Sequence, residues 1–436
     1  MAGTDTRIFD VVVIGGGPAG MGAALAARAA GASVAILERN EHLGGILRQC
    51  IHPGFGLTHF KEELTGPEYA QRFIDQVEET DIAVFLNAMV LAIEGGEDCA
   101  DCGNQDLCGR KTVCAMSADG MLQLSAGAVV LAMGCRERTR SEIKIPGSRP
   151  AGVFTAGLAQ RYLNIENLVP GHRFVILGSG DIGLIMARRL SLEGLEVEGV
   201  YELMPYANGL NRNIRNCLDD FGIPLHLSTT VTRVIGRDRV EAVEVSRVDE
   251  KLSPIPGTER VIPCDGLLLS VGLIPENELS VAAGVQLNPR TRGALVDQDL
   301  MTSVPGIFSC GNVLHVHDLA DNVTAEAERA GAAAAAWAAR EDAGAQAVDL
   351  ALEPGGLASY CVPSHITKVC NTKLFYRVRT PVDRARIRIT SGGRVLFEGK
   401  PRAFKPSTME SAPLTKKMLA EASGPITFAI EPVEEA

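Results

Sequence analysis

The sequence predicts an α/β fold with two Rossmann-like dinucleotide-binding units and a small C-terminal β-rich domain. Two of the observations behind this are near copies of each other. Val11-Val12-Val13-Ile14 runs into Gly15-Gly16-Gly17-Pro18-Ala19-Gly20, and Phe174-Val175-Ile176-Leu177 runs into Gly178-Ser179-Gly180-Asp181-Ile182-Gly183, about 160 residues later. Each apolar run reads as a buried strand, and each turn opens a helix. Each unit continues to a second strand that stops at an acid, Ala35-Ile36-Leu37-Glu38 in one copy and Gly199-Val200-Tyr201-Glu202 in the other. The third observation is a switch to alternating, strand-like residues after Glu353-Pro354-Gly355-Gly356.

The first glycine of such a turn lets the chain swing sharply out of the strand. The second allows a pyrophosphate close to the backbone, and the third lets the helix pack on the sheet. The anion then meets unpaired N–H groups at the positive end of the helix dipole. The acid accepts from an adenosine ribose. It follows the first glycine by 23 residues in one copy and 24 in the other, near the ~20 expected.

Between and after these units the elements follow in order. Gly66–Thr80 predicts a helix with Tyr69, Ala70, Phe73 and Val77 on one face. Strands are expected at Ala83–Ile93, Thr112–Met116 and Leu122–Leu124, and at Gly127–Gly134. The second unit ends at Asp265–Pro275, an apolar strand stopping at Gly272. The chain returns through Cys310-Gly311-Asn312 into a helix from about Asn322 to Arg340. Beyond it, Leu374–Arg379, Ala385–Ile389, a Ser391-Gly392-Gly393 turn and Val395–Phe397 predict an antiparallel module. The expected domains are therefore 1–149 with 291–350, 150–290 inserted between them, and 355–436.

Composition narrows the function. At 436 residues, two or three domains are expected. A net charge of −11 argues against nucleic-acid binding, which needs a basic surface. No apolar run reaches the ~20 residues of a membrane helix. The first strand begins by residue 9 without a basic-then-apolar leader, and eleven cysteines, an odd number, predict free thiols or metal ligands in the cytoplasm.

Together these motifs resemble the two-dinucleotide-binding flavoproteins, the pyridine nucleotide–disulfide oxidoreductases, over roughly residues 7–345. The resemblance implies FAD in the first site, on Gly15, Gly17, Gly20, Glu38, Arg39, Gly44, Gly45, Gly134, Gly311 and Asn312. It implies NAD(P) in the second, on Gly178, Gly180, Asp181, Ile182, Gly183, Glu202 and Gly272. The family usually carries Gly-Asp where this chain has Gly311-Asn312, so one charge beside the flavin is lost. The acid Glu202 favours a free ribose 2′-OH, hence NAD(H) over NADP(H). More narrowly, Gly44–Gly56, Gly134–Arg140 and Gly178–Arg189 are similar to a bacterial branch. That branch accompanies glycerol-3-phosphate-dehydrogenase-type oxidases and resembles subunits of opine and amino-acid dehydrogenase complexes. A partner subunit carrying the substrate site, a second flavoprotein among the candidates, and an oligomeric state are therefore expected.

The thiols set this chain apart. One reductase class places C-x4-C after the double glycine, where this chain has Leu47 and His52, and another carries C-x-x-C in the second unit, which here holds only Cys217 and Cys264. A lone Cys50 with His52 nearby is either a redox thiol, its pKa lowered by the histidine, or a small residue packed by the cofactor. His315 and His317 fall near the expected flavin edge, to move a proton or to cap the next helix. Cys99, Cys102, Cys108 and Cys114, on a hairpin at 95–114, suit zinc or an iron–sulfur cluster, or are free surface thiols. Three functions follow. The leading one is hydride exchange between FAD and NAD(H), with electrons passing to or from the partner. The others are a self-sufficient NADH peroxidase or oxidase using Cys50, and a non-catalytic FAD-containing assembly subunit.

Overall fold

The computed structural model describes residues 7–95, 109–340 and 346–433. The chain divides into two compact units, one of residues 1–48, 53–135 and 275–436, the other of 49–52 and 136–274.

In the first unit a sheet runs in the order Ala83–Phe85, Val34–Leu37, Arg7–Ile14, Gly120–Leu131, Lys111–Ser117, Met89–Gly95, with Ile307–Ser309 also pairing on Gly120–Leu131. The central strands are parallel and buried on both faces, which is why they read as unbroken apolar runs. Register aligns their ends. Ile14 faces Leu37 on one side and Leu131 on the other, and Leu131 faces Ser309. Gly15, Glu38, Ala132 and Cys310 therefore leave the sheet at one level. The helices Pro18–Ala29 and Ala320–Ala338 cross here at close quarters, because Gly331 brings its backbone onto Ala23: a Cβ there would lie 2.0 Å from the Ala23 carbonyl oxygen. The helix Gly66–Glu78 begins on a capping box, Thr65 receiving the Glu68 amide while the Glu68 carboxylate accepts from Thr65.

The second unit repeats the plan. A five-stranded parallel sheet has the order Val153–Thr155, Gly266–Leu269, Arg173–Leu177, Glu196–Tyr201, Leu225–His226. An antiparallel three-stranded sheet, Thr229–Gly236, Val240–Arg247 and Arg260–Pro263, packs beside it through Val231, Val243 and Leu267.

The C-terminal strands form a six-stranded and a three-stranded sheet around one core that includes Leu352, Tyr376, Leu414 and Phe428. The Ser391–Arg394 hairpin turns through Gly392 and Gly393, both at positive φ, the turn geometry that fits strand twist. This β-rich region also joins the first unit's core through Tyr360 and Val362. Arg377 fastens the two: its guanidinium pairs with Asp318 and donates to the carbonyls of Val316 (3.1 Å) and Pro406 (3.1 Å). Both side chains are largely buried. We expect Arg377→Ala to destabilise the protein by about 3 kcal/mol, because it strands the Asp318 charge. Urea unfolding measures this, and replacing both partners by apolar residues should cost less than the single change.

Candidate functional site

At the first turn, Gly15 takes φ +108°, and a Cβ there would lie 2.4 Å from the Ala132 carbonyl oxygen. A Cβ on Gly20 would lie 1.7 Å from the Gly15 oxygen, so only glycine lets the helix sit on the strand end. Gly17 differs: its Cβ would meet nothing nearer than the Gly45 Cα at 3.9 Å. The Pro18–Ala29 helix starts there with no side-chain cap and no acid in its first turn. An open, uncapped helix N-terminus of this kind fits a pyrophosphate. Gly44 and Gly45 close the other side, the Gly44 N–H donating to the Gly16 carbonyl at 2.8 Å.

Glu38 is buried and holds this turn together. Its Oε2 accepts the Gly16 N–H at 2.7 Å, and its Oε1 accepts the backbone and side-chain N–H of Asn40, each at 2.8 Å. A carboxylate has about four acceptor sites. Three are taken, which leaves one on Oε2 for a ribose hydroxyl. Arg39 is exposed beside it.

The second turn has the same construction. Gly178 takes φ +94° against the Ser270 carbonyl, and the Asp181–Leu192 helix begins without a side-chain cap. One oxygen of Asp181, Oδ1, accepts both the Leu210 N–H at 2.9 Å and the Asn213 amide at 2.6 Å. Gly183 is buried with its N–H on the Ser270 hydroxyl at 3.1 Å, and Ile182 is half-buried at its side. Glu202, buried, accepts the Ser179 N–H at 2.9 Å and the Ser179 hydroxyl on Oε2, and the Met204 N–H at 2.8 Å on Oε1. Again one acceptor site is left, here on Oε1. The strand expected to stop at Gly272 ends earlier, at Leu269; Gly272, at φ +106°, lies three residues beyond it, and its carbonyl accepts the Arg138 N–H at 3.0 Å.

In the first unit Gly134 and Gly311 both take positive φ. Asn312 uses both ends of its amide: Oδ1 accepts the His317 N–H at 3.0 Å and Nδ2 donates to the Cys135 sulfur at 3.7 Å. His315 and His317 do not cap the helix that follows, whose N-terminus has no side-chain cap. Instead their Nε2 atoms lie 2.7 and 3.1 Å from the two oxygens of Glu326, and Glu326 Oε1 also accepts the Gly311 N–H at 2.8 Å. Glu326 is a residue the sequence reading missed, although its spacing from Val323, Ala327 and Ala330 puts it on the buried helix face.

Cys50 is buried among the second unit's residues, 3.8 Å from the Gln160 side-chain oxygen, while Gln49 donates to the Gly157 carbonyl at 2.8 Å. The expectation that His52 lowers its pKa is corrected: burial pushes the Cys50 thiol up to about 12. Cys217 and Cys264, pushed up by burial to about 11 and about 12, belong to separate apolar cores. Of the four-cysteine hairpin, Cys99, Cys102 and Cys108 lie outside the described residues; Cys114 is on the strand Lys111–Ser117.

Two uncapped helix N-termini, each beside a buried acid with one acceptor site to spare, have the geometry of dinucleotide-binding turns. Residues 9–336 match the family model described as pyridine nucleotide-disulphide oxidoreductase, and the chain belongs to that family. Among curated relatives, one of the subunits of the opine oxidase of Agrobacterium tumefaciens (strain Ach5) is 28% identical over 318 residues, covering 70% of this chain and 61% of that one. The ferredoxin–NAD(+) reductase component of the biphenyl dioxygenase system of Paraburkholderia xenovorans (strain LB400) is 31% identical over 217 residues, covering 47% and 49%. The chain spans about three fifths of the length of the first curated relatives it matches. Thioredoxin reductase of T. acidophilum has the same fold, with TM-score 0.60 and 24% identity over 77% of this chain and 100% of that one.

Two expectations follow. Gly17→Ala should change the stability of the flavin-free chain by no more than about 1 kcal/mol, yet weaken FAD binding tenfold or more, whereas Gly20→Ala should not fold. Thermal melts and flavin titration separate the two. On acidification, burial holds the His315 pKa below its ordinary 6.5. Burial by itself would raise Glu326, but the two histidines outweigh it and hold that carboxyl below its ordinary 4.5. Both folded-state values lie under the unfolded ones, so each group's contribution is present at high pH and lost as pH falls. Urea midpoints should decline below pH 6.5 and again below 4.5, and the His315→Gln variant should show a smaller first decline, since burial also holds His226 below its ordinary value.

Proposed function

We propose that this chain exchanges a hydride between NAD(H) and FAD, and passes electrons to or from a partner subunit that carries the substrate site. The observation that carries the reading is the pair of matched nucleotide turns without a cysteine pair at either of the two positions considered for the reductases. Leu47 and His52 occupy the positions of one reductase pair, and the thiols of the second unit lie in separate cores. When bound, FAD supplies the two-electron chemistry. The chain's own residues bind and orient. Gly15, Gly17 and Gly20 with Glu38 would hold the flavin nucleotide, and Gly178, Gly180 and Gly183 with Glu202 the nicotinamide nucleotide. The opine oxidase relative and the dioxygenase reductase component are, by name, parts of multi-component systems, which supports a partner for this chain.

Glu202 supports NAD(H) over NADP(H). Its carboxylate is fixed by Ser179 and Met204, so a ribose 2′-phosphate would meet a charge that cannot turn away. The four cysteines remain a candidate zinc or iron–sulfur site in this reading, and assays of both iron and zinc in the purified protein decide between a cluster, a zinc site and free thiols.

Anaerobic mixing tests the whole scheme. NADH should bleach the bound flavin quickly and NADPH at least tenfold more slowly, with Glu202→Gln narrowing that ratio about tenfold. No bleaching by either nucleotide would leave the flavin as a structural prop. The Cys50 peroxidase alternative is not favoured by a thiol held protonated at neutral pH. Cys50→Ser should leave NADH oxidation in the presence of peroxide within twofold of the parent.

A further inference from the structure

The segment from Gly311 to Asp318 is gripped from two sides. On one side is Glu326, on a helix whose buried residues, apart from Asp321 near its start, are alanine, glycine, valine and threonine. Its two oxygens receive three donors: the Gly311 N–H, His315 Nε2 and His317 Nε2. The Glu326 side chain is fully enclosed, and the imidazoles are 1% exposed or less. On the other side is the C-terminal β-rich region. The Phe375 ring lies 5.8 Å from the His315 ring and 6.1 Å from the His317 ring, the Tyr360 ring is edge-on to His315 at 6.1 Å, and Arg377 holds Val316 and Asp318.

A charge buried this deeply costs several kcal/mol, and burying alanine at that position would avoid the cost. What the carboxylate gives in return is direction. It fixes a backbone N–H at the first residue of the Gly311-Asn312 turn, and His317, through its own N–H, fixes the Asn312 side chain. The Nδ1 atoms of both histidines are buried with no partner. This assigns the neutral tautomer with Nε2–H donating to the carboxylate, since a bare lone pair is cheaper to bury than an unpaired N–H. The same observation counts against a metal ion among the three side chains. An imidazole that binds a metal through one nitrogen nearly always donates the other N–H to a neighbour.

We propose that Glu326 is a positioning residue for the flavin: it sets the Gly311–Asn312 backbone through three converging donors, and the C-terminal region braces the two histidines that complete the set. This gives the C-terminal region a part in flavin binding. The inference rests on the reading that Gly311 and Asn312 hold FAD, and the two can fail separately.

The test compares the parent with Glu326→Ala, Glu326→Gln and Phe375→Ala. Hydrogen exchange of the flavin-free protein reads the loop directly. Exchange over residues 309–318 should quicken at least tenfold in Glu326→Ala and stay unchanged over residues 15–20. FAD titration should show affinity down tenfold or more in Glu326→Ala, with an altered visible circular dichroism of the flavin that remains. Glu326→Gln keeps an oxygen for the Gly311 N–H and should recover most of both. Phe375→Ala should fall between them. If the parent binds no FAD, the reading of the site fails. If the parent binds FAD and Glu326→Ala binds it equally well with the same spectrum, the positioning role is overturned, whatever its melting temperature. Stoichiometric transition metal that is lost in His315→Gln would overturn it as well. Should Glu326→Ala not be recovered folded, His317→Leu removes one donor and takes its place with the same readouts.

Discussion

Each nucleotide turn must hold a sharply kinked backbone rigid, and in both units the buried acid at the end of the neighbouring strand does this. Glu38 and Glu202 stand where a ribose acceptor is expected, yet most of their hydrogen-bonding capacity is used on their own chain. One oxygen takes the N–H of the turn's second residue, and the other takes the N–H two residues beyond the acid. The acid thereby ties the first strand's turn to the second strand's exit. The parallel register makes this possible, since Ile14 and Leu37, like Leu177 and Tyr201, end at one level. A slip of one residue would turn the acid away from the turn.

The two copies differ at the turn's second residue. Gly16 in the first turn has no side chain, and a Cβ there would lie 2.4 Å from Leu43. Its counterpart Ser179 has room, and its hydroxyl fills a second site on the Glu202 oxygen while accepting the Asn208 N–H at 2.9 Å. The spare acceptor is therefore on Oε2 in one copy and on Oε1 in the other. The same bracket presents its last acceptor from different oxygens, which is a way for one plan to hold two nucleotides in different poses.

What the sequence made legible was whatever the backbone demanded. Gly15, Gly20 and Gly178 announce themselves because no other residue tolerates those contacts, and the strands before them because burial on both faces forbids polar residues. Three of the C-terminal strands, Thr372–Val378, Val382–Ser391 and Arg394–Glu398, were legible from alternation. Glu326 was not read, since an acid two residues from Glu328 in an alanine-rich helix resembles a solvent-facing charge. The helical spacing from Val323 to Ala330 carried the signal, but its meaning needed the partners His315 and His317, which come from a loop. Nor could periodicity show that Tyr360 and Val362 join the first unit's core, because alternation gives the face of a strand and not what covers it.

The same logic accounts for Asn312, where the family usually has an aspartate. An amide donates from one atom and accepts on the other, and here Nδ2 reaches the Cys135 sulfur while Oδ1 takes the His317 N–H. A carboxylate could only accept. It would also set a second negative charge one residue from the amide that Glu326 holds, and like charges in a poorly solvated site repel strongly. The carboxylate that faces the Gly311 amide comes instead from the helix, enclosed, where three donors satisfy it. The change from acid to amide at 312 and the buried acid at 326 are two halves of one arrangement. Through His317 it is continuous with the packing of the C-terminal strands.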